Sequence, residues 1–161
     1  MSLFDQDNFK WRETFFVMFR STHRPELAKV LLELDKLGRY EVQDHVADED
    51  GKLVSMTVLA PDDFSALDIS YISGADVIDE SNSLLEELVA DGVTPEEREK
   101  IDNAATFDAR FDVMHFQQIV EEDGDEEGMD LFDPSALLKV LERLCKLTEG
   151  ISVDPQSGTL L

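Results

Sequence analysis

Cysteine is almost absent: Cys145 stands alone among 161 residues. No intramolecular disulfide can form, and a reducing compartment is the expected setting. Basic side chains are scarce too, with 14 lysines and arginines against 37 aspartates and glutamates, a formal charge of −23. Without a basic stripe to release counterions, such a chain is repelled by bare nucleic acid and by anionic lipid. Long apolar runs are also missing, and none approaches the roughly 20 residues that span a bilayer. The opening residues Met1 to Asp7 are acidic and lack the basic-then-apolar order of a leader. These absences set the expectation of a cytoplasmic protein with no direct nucleic-acid or membrane binding and no cofactor. Its partner would be another protein or a second copy of itself.

What is present is a core. Apolar residues make up 42% of the chain and fall in periodic blocks, which excludes disorder. The length suits one α+β domain over 1–161, with halves at 9–74 and 75–161. Trp11 to Phe19 reads as a buried strand. Thr22 and Pro25 then open a helix on which Leu27, Val30, Leu31, Leu34 and Leu37 recur at helical spacing, with Gly38 to end it. Tyr40 to Val46 and Leu53 to Leu59 are strands joined through Asp50-Gly51, a dipeptide that favours hairpin turns. In the next strand Leu67, Ile69 and Tyr71 alternate with Asp68 and Ser70. Val77 to Val89 is a second helix, and Thr94-Pro95-Glu96-Glu97 is a capping box opening a third. The third helix has a thin apolar face of Ile101, Ala104 and Ala105. Phe107, Ala109, Phe111 and Val113 mark a long strand. A last helix begins at Asp133-Pro134, carries Leu137, Leu138, Val140, Leu141, Leu144 and Cys145 on a broad apolar face, and ends at Gly150. Ile151 to Val153 is a short strand, and Asp154 to Gly158 turns the chain into Thr159–Leu161.

This order predicts a ferredoxin-like α/β sandwich with extra strands: a mainly antiparallel or mixed sheet with helices packed on one face. The first and last helices also match without a gap. Leu27, Lys29, Val30, Leu31, Leu34, Lys36 and Leu37 align with Leu137, Lys139, Val140, Leu141, Leu144, Lys146 and Leu147. Two readings stand, a pair of duplicated β-α-β units or the convergence of two Leu-rich amphipathic helices.

The candidate chemistry is thin. Asp123, Asp125 and Glu127 before Gly128 imitate the opening of a calcium loop, but Pro134 stands where its bidentate glutamate belongs. His45, His115 and Asp112 are the remaining metal or acid–base candidates, and no HxH, HExxH or CxxC spacing joins them. Convergence of the two histidines requires neighbouring strands and a common face. His23 sits at a helix entrance, and Cys145 shares an apolar helical face, as a buried small hydrophobe would. Phe15, Phe16, Phe19, Phe107, Phe111 and Phe116 lie at strand spacing and read as core.

The last helix followed by Gly150-Ile151-Ser152-Val153-Asp154-Pro155-Gln156-Ser157-Gly158 resembles the ending of several uncharacterised small bacterial α+β proteins. It covers about a fifth of the chain, and its Asp-Pro turn chemistry is common. The resemblance implies a bacterial protein and carries over no functional residue.

The leading expectation is therefore a non-catalytic interaction or regulatory domain. Self-association through the edge of Leu53–Leu59 or Thr159–Leu161 is one form of it. Two alternatives are a small metal-dependent or His/Asp-based hydrolase using His45 and His115, and an acidic mimic of nucleic acid displaying Glu86, Glu87, Glu96, Glu97 and Glu99.

Overall fold

The computed structural model describes residues 8–90, 92–119 and 134–161. Among these, seven strands form one open sheet in the order β2-β3-β4-β5-β1-β6-β7. They are β1 (Phe9–Phe19), β2 (Glu41–Ala47), β3 (Leu53–Ala60), β4 (Ser65–Ser73), β5 (Ala109–Gln118), β6 (Ile151–Asp154) and β7 (Thr159–Leu160). Every neighbouring pair is antiparallel. Among the described residues four α-helices accompany the sheet: α1 (Leu27–Leu37), α2 (Ala75–Ala90), α3 (Pro95–Ala104) and α4 (Ser135–Thr148). None of the described helices is long and apolar enough to cross a membrane.

The helices cover both faces of the sheet, not one as the sequence suggested. Phe15, Val17 and Phe19 of β1 share a face with Phe111 and Val113 of β5 and Leu67 and Ile69 of β4. There α1 packs through Val30 and Leu34, and α4 through Leu137, Val140, Leu141 and Leu144. Phe16 and Met18 are out of phase by one residue and turn to the opposite face with Ile151 and Val153. That face receives Leu84, Leu85 and Leu88 of α2 and Ile101 and Ala104 of α3. The cause is written in β1, whose Phe15-Phe16-Val17-Met18-Phe19 is apolar at both parities. Such a run specifies a strand buried on two sides.

Strand order also corrects the edges. Leu53–Leu59 is not an edge, because β3 is enclosed by β2 and β4. The real margins are β2 and the two-residue β7. β2 is irregular, with Asp44 and His45 bulged out of the ladder between Gln43 and Val46 and Asp44 at φ 49°. An acidic, bulged edge is a poor template for strand addition.

The proposed halves share this sheet and interleave. β1 lies between β5 and β6, while α1 and α4 are neighbours on one face, joined by an Arg143–Glu33 ion pair at 3.2 Å. The capping box at α3 forms as its sequence dictates, with Thr94 accepting from the Glu97 N–H and Glu97 accepting from the Thr94 N–H. Thr22, in contrast, caps no α-helix. It lies in a 3-10 turn, Ser21–His23, and the entrance of α1 is tied to the β2–β3 turn through Leu27 N–H to Gly51 O at 2.9 Å. At the end of α4 the left-handed position is held by Glu149 (φ 54°). Gly150 serves a different need: a Cβ there would stand 2.3 Å from the Met18 carbonyl oxygen.

Candidate functional site

The structure separates the titratable residues that the sequence singled out. His45 sits exposed in the β2 bulge, whereas His115 is buried in β5. Two strands intervene, so three inter-strand spacings, about 14 Å, part them across the sheet. Asp112 cannot join His115 either, because an odd separation on an unbroken strand sends the two side chains to opposite faces. Asp123 and Asp125 lie outside the described residues. Among the described residues no three His, Cys, Asp or Glu side chains are grouped to hold a metal ion.

Asp112 belongs to an ion cluster on the α2/α3 face. Arg110 donates to Asp112 at 2.7 Å and to Glu80 of α2 at 2.6 Å, and its guanidinium lies 4.0 Å from the centre of the Phe16 ring. Burial raises the Asp112 carboxyl above its ordinary range, more than the guanidinium lowers it. The cluster ties α2 to the sheet. His23, near the end of α4, approaches the Thr148 carbonyl oxygen at 3.2 Å.

His115 is the centre of a buried polar chain that sequence spacing did not reveal. It has 0% exposure and Ser65 has 1%. Its Nε2 lies 2.8 Å from the Ser65 hydroxyl and its Nδ1 3.4 Å from a Glu13 carboxylate oxygen. Glu13 reaches it from the neighbouring strand β1. Glu13 pairs with His115 as Phe15 pairs with Val113 and Val17 with Phe111, so plain alternation places it on the His115 face, while the bulge at Arg12 shifts only Phe9 to Trp11. With its proton on Nδ1, toward the carboxylate, the imidazole accepts from Ser65.

Burial holds the His115 imidazole below its ordinary pKa of 6.5, and Glu13 offsets only part of that. The unfolded chain therefore takes up this proton first as pH falls. The contribution to stability is full above the unfolded value and is lost as pH drops through the lower folded one. Asp68 and Asp112, both raised by burial, act in the opposite sense at lower pH. Urea midpoints of the protein should fall between about pH 7 and pH 5, and His115→Asn should flatten that fall. An equal fall in the variant would assign the proton to another group.

The second feature is a groove of about 390 Å³ at the sheet margin where β6 begins. It arises because α3 has so thin an apolar face: Ile101 and Ala104 alone are buried, which leaves Lys100 and Asn103 beside open space. Phe107, Leu141 and Ile151 line the groove from α3's loop, α4 and β6. Leu138 of α4, 54% exposed, and Leu161 add unpacked apolar surface. Glu142 and Glu149 with Lys100 supply its charged lining. Cys145 also lines the groove, but burial raises its thiol pKa, with only partial relief from Ser152, so it remains a protonated thiol.

The sequence placed Leu138 in the core. The missed signal was the width of the α4 apolar arc: where α4 carries Leu138, the matching position of α1 carries Ala28. Comparisons with protein-family models, with curated proteins and with solved structures find no match to this chain.

Proposed function

We propose that the chain is a non-catalytic interaction domain that docks a segment of another protein in the groove between α3 and α4. The observation that carries this reading is Leu138, a leucine more than half exposed on the rim of an apolar groove at the end of an otherwise packed helix. A leucine side chain gains about 1.5–3 kcal/mol on full burial. A partner protein is favoured over a second copy. Two chains of charge −23 repel each other, and neither margin of the sheet offers a long, flat strand. Light scattering should therefore find a single species of 18.2 kDa at high concentration. For the docking itself, titration of isotopically labelled protein with amphipathic helical peptides should move amide signals of α3, α4 and residues 150–152. Leu138→Glu should suppress those shifts while leaving the melting temperature unchanged. Shifts elsewhere, or none with any peptide, would remove the reading.

A catalytic reading has one observation in its favour: Ser65, His115 and Glu13 stand in the order of nucleophile, base and orienting acid. Its weakness is access, since an acyl carbon must reach a hydroxyl that is 1% exposed. A fluorophosphonate probe should leave Ser65 unlabelled; mass gain on the Ser65 peptide would restore the hydrolase.

We also infer a ferredoxin-like core beneath the additions. What supports it is the central order β4-β5-β1-β6 with α1 and α4 on one face, to which β2, β3, α2, α3 and β7 are appended.

A further inference from the structure

Resting on the docking reading above, we infer that the partner segment is a basic amphipathic helix. Three observations converge on that chemistry. The mode of binding comes first. Strand addition beside the groove is disfavoured, because β6 is already paired with the C-terminal segment, its Ser152 carbonyl oxygen accepting from the Leu161 N–H at 2.9 Å, and the margin β7 is only two residues long. With so short a sheet edge and helices α3 and α4 on either side, the open mode is helix-in-groove, with apolar anchors at i, i+3, i+4 and i+7.

Charge comes second. The groove's ionised lining is two carboxylates, Glu142 and Glu149, against one ammonium, Lys100, and Glu142 is also paired with Lys146 at 2.9 Å. Its α3 wall is continuous with Glu96, Glu97 and Glu99, while Asp102 is paired with Arg98 at 3.2 Å, and the whole chain carries −23. The balance is negative, and a net negative field steers a basic segment inward and turns away an acidic one. The third observation is the groove's size. At about 390 Å³ it holds the equivalent of about a dozen waters by their share of liquid volume. That is room for a few apolar side chains, with the rest of the partner helix left outside where its lysines meet the acidic rim.

The probes are three fluorescent peptides of about 14 residues, long enough for four helical turns. One places leucines at the anchor positions and lysines elsewhere. The second replaces every lysine by glutamate. The third scrambles the leucines and lysines. The leucine–lysine helix should bind at least tenfold tighter than either of the others, lose at least tenfold on Leu138→Glu, and weaken as salt is raised. If the leucine–glutamate helix binds equally well, the basic-partner inference falls and the docking groove survives. If the scrambled peptide binds equally well, only diffuse charge attraction is at work, and inference and groove both fail. If no peptide binds, the docking reading fails as well.

Discussion

Gly150→Ala should destabilise the fold by about 3 kcal/mol or more, the upper part of the range for overpacking a core. The added Cβ would sit 2.3 Å from the Met18 carbonyl oxygen, 2.9 Å from the Thr148 hydroxyl and 3.0 Å from the Phe19 Cβ. The nearest of these is backbone in β1, so relief requires moving the central strand or the end of α4. Met18 and Phe19 are fully buried, and Met18 pairs with Ile151, the residue after the glycine. For a domain of this length, such a loss corresponds to a melting temperature lower by on the order of 10 °C. The neighbouring position supplies the control. Glu149 has φ 54°, a conformation that costs an L-residue about 1–2 kcal/mol. Glu149→Gly should therefore be neutral or stabilising by up to about 1 kcal/mol, once the added freedom of the unfolded chain is deducted. Calorimetry of the two variants should give shifts of opposite sign or, at the least, very unequal size. A Gly150→Ala protein that melts with the parent would show that β1 and α4 do not meet here as described.

Phe111→Ala should cost about 3–5 kcal/mol, the range for truncating a buried aromatic. Phe111 is fully buried on the α1/α4 face, with its ring 4.8 Å from that of Phe19 and 6.1 Å from that of Tyr71. Tyr71 in turn carries the Arg24 guanidinium 4.3 Å from its ring centre. The truncation thus removes packing from three strands together and leaves a void that rigid neighbours on a paired ladder can fill only in part. Denaturant titration should show a lower midpoint with an unchanged slope, because the folded and unfolded surfaces stay nearly the same. Phe16→Ala, at a half-buried position on the other face, should cost distinctly less. A loss below about 1.5 kcal/mol at Phe111 would contradict the packing, since the transfer of one such side chain already exceeds it.

Local patterns carried most of the secondary structure. Alternation at Leu67, Ile69 and Tyr71 marks β4, the helical repeat at Leu27, Val30 and Leu34 marks α1, and the Thr94–Glu97 box marks the start of α3. Each is a short-range rule with a period of two or 3.6. Strand order is not short-range. Nothing local places β1 between β5 and β6, and the expectation that Leu53–Leu59 is an edge failed for that reason. The one-sided arrangement of helices failed differently, because the doubly apolar run Phe15 to Phe19 specifies burial on both faces of the sheet. The chain from Glu13 through His115 to Ser65 depends on strand order, which sets β1 and β4 on either side of β5 and which sequence spacing does not reveal. The groove is a product of tertiary packing. It exists because a weakly apolar α3 and an over-apolar α4 meet at the sheet margin, and only the surplus of Leu138 hinted at it.

The position of β1 has a bearing on how the molecule comes to be made. A ribosome delivers β1 first, yet its two neighbours arrive only after some ninety further residues, with Ala109 and then Ile151. Until then the run Phe15 to Phe19 has no strand to pair with, and α1, through Val30 and Leu34, is the first of its native neighbours at hand to cover one face. Folding dominated by such distant pairings is slow, and the waiting strand is open to aggregation. The heavy negative charge that repels copies of the finished domain would serve these growing chains in the same way, keeping those on one message apart while the last strands emerge.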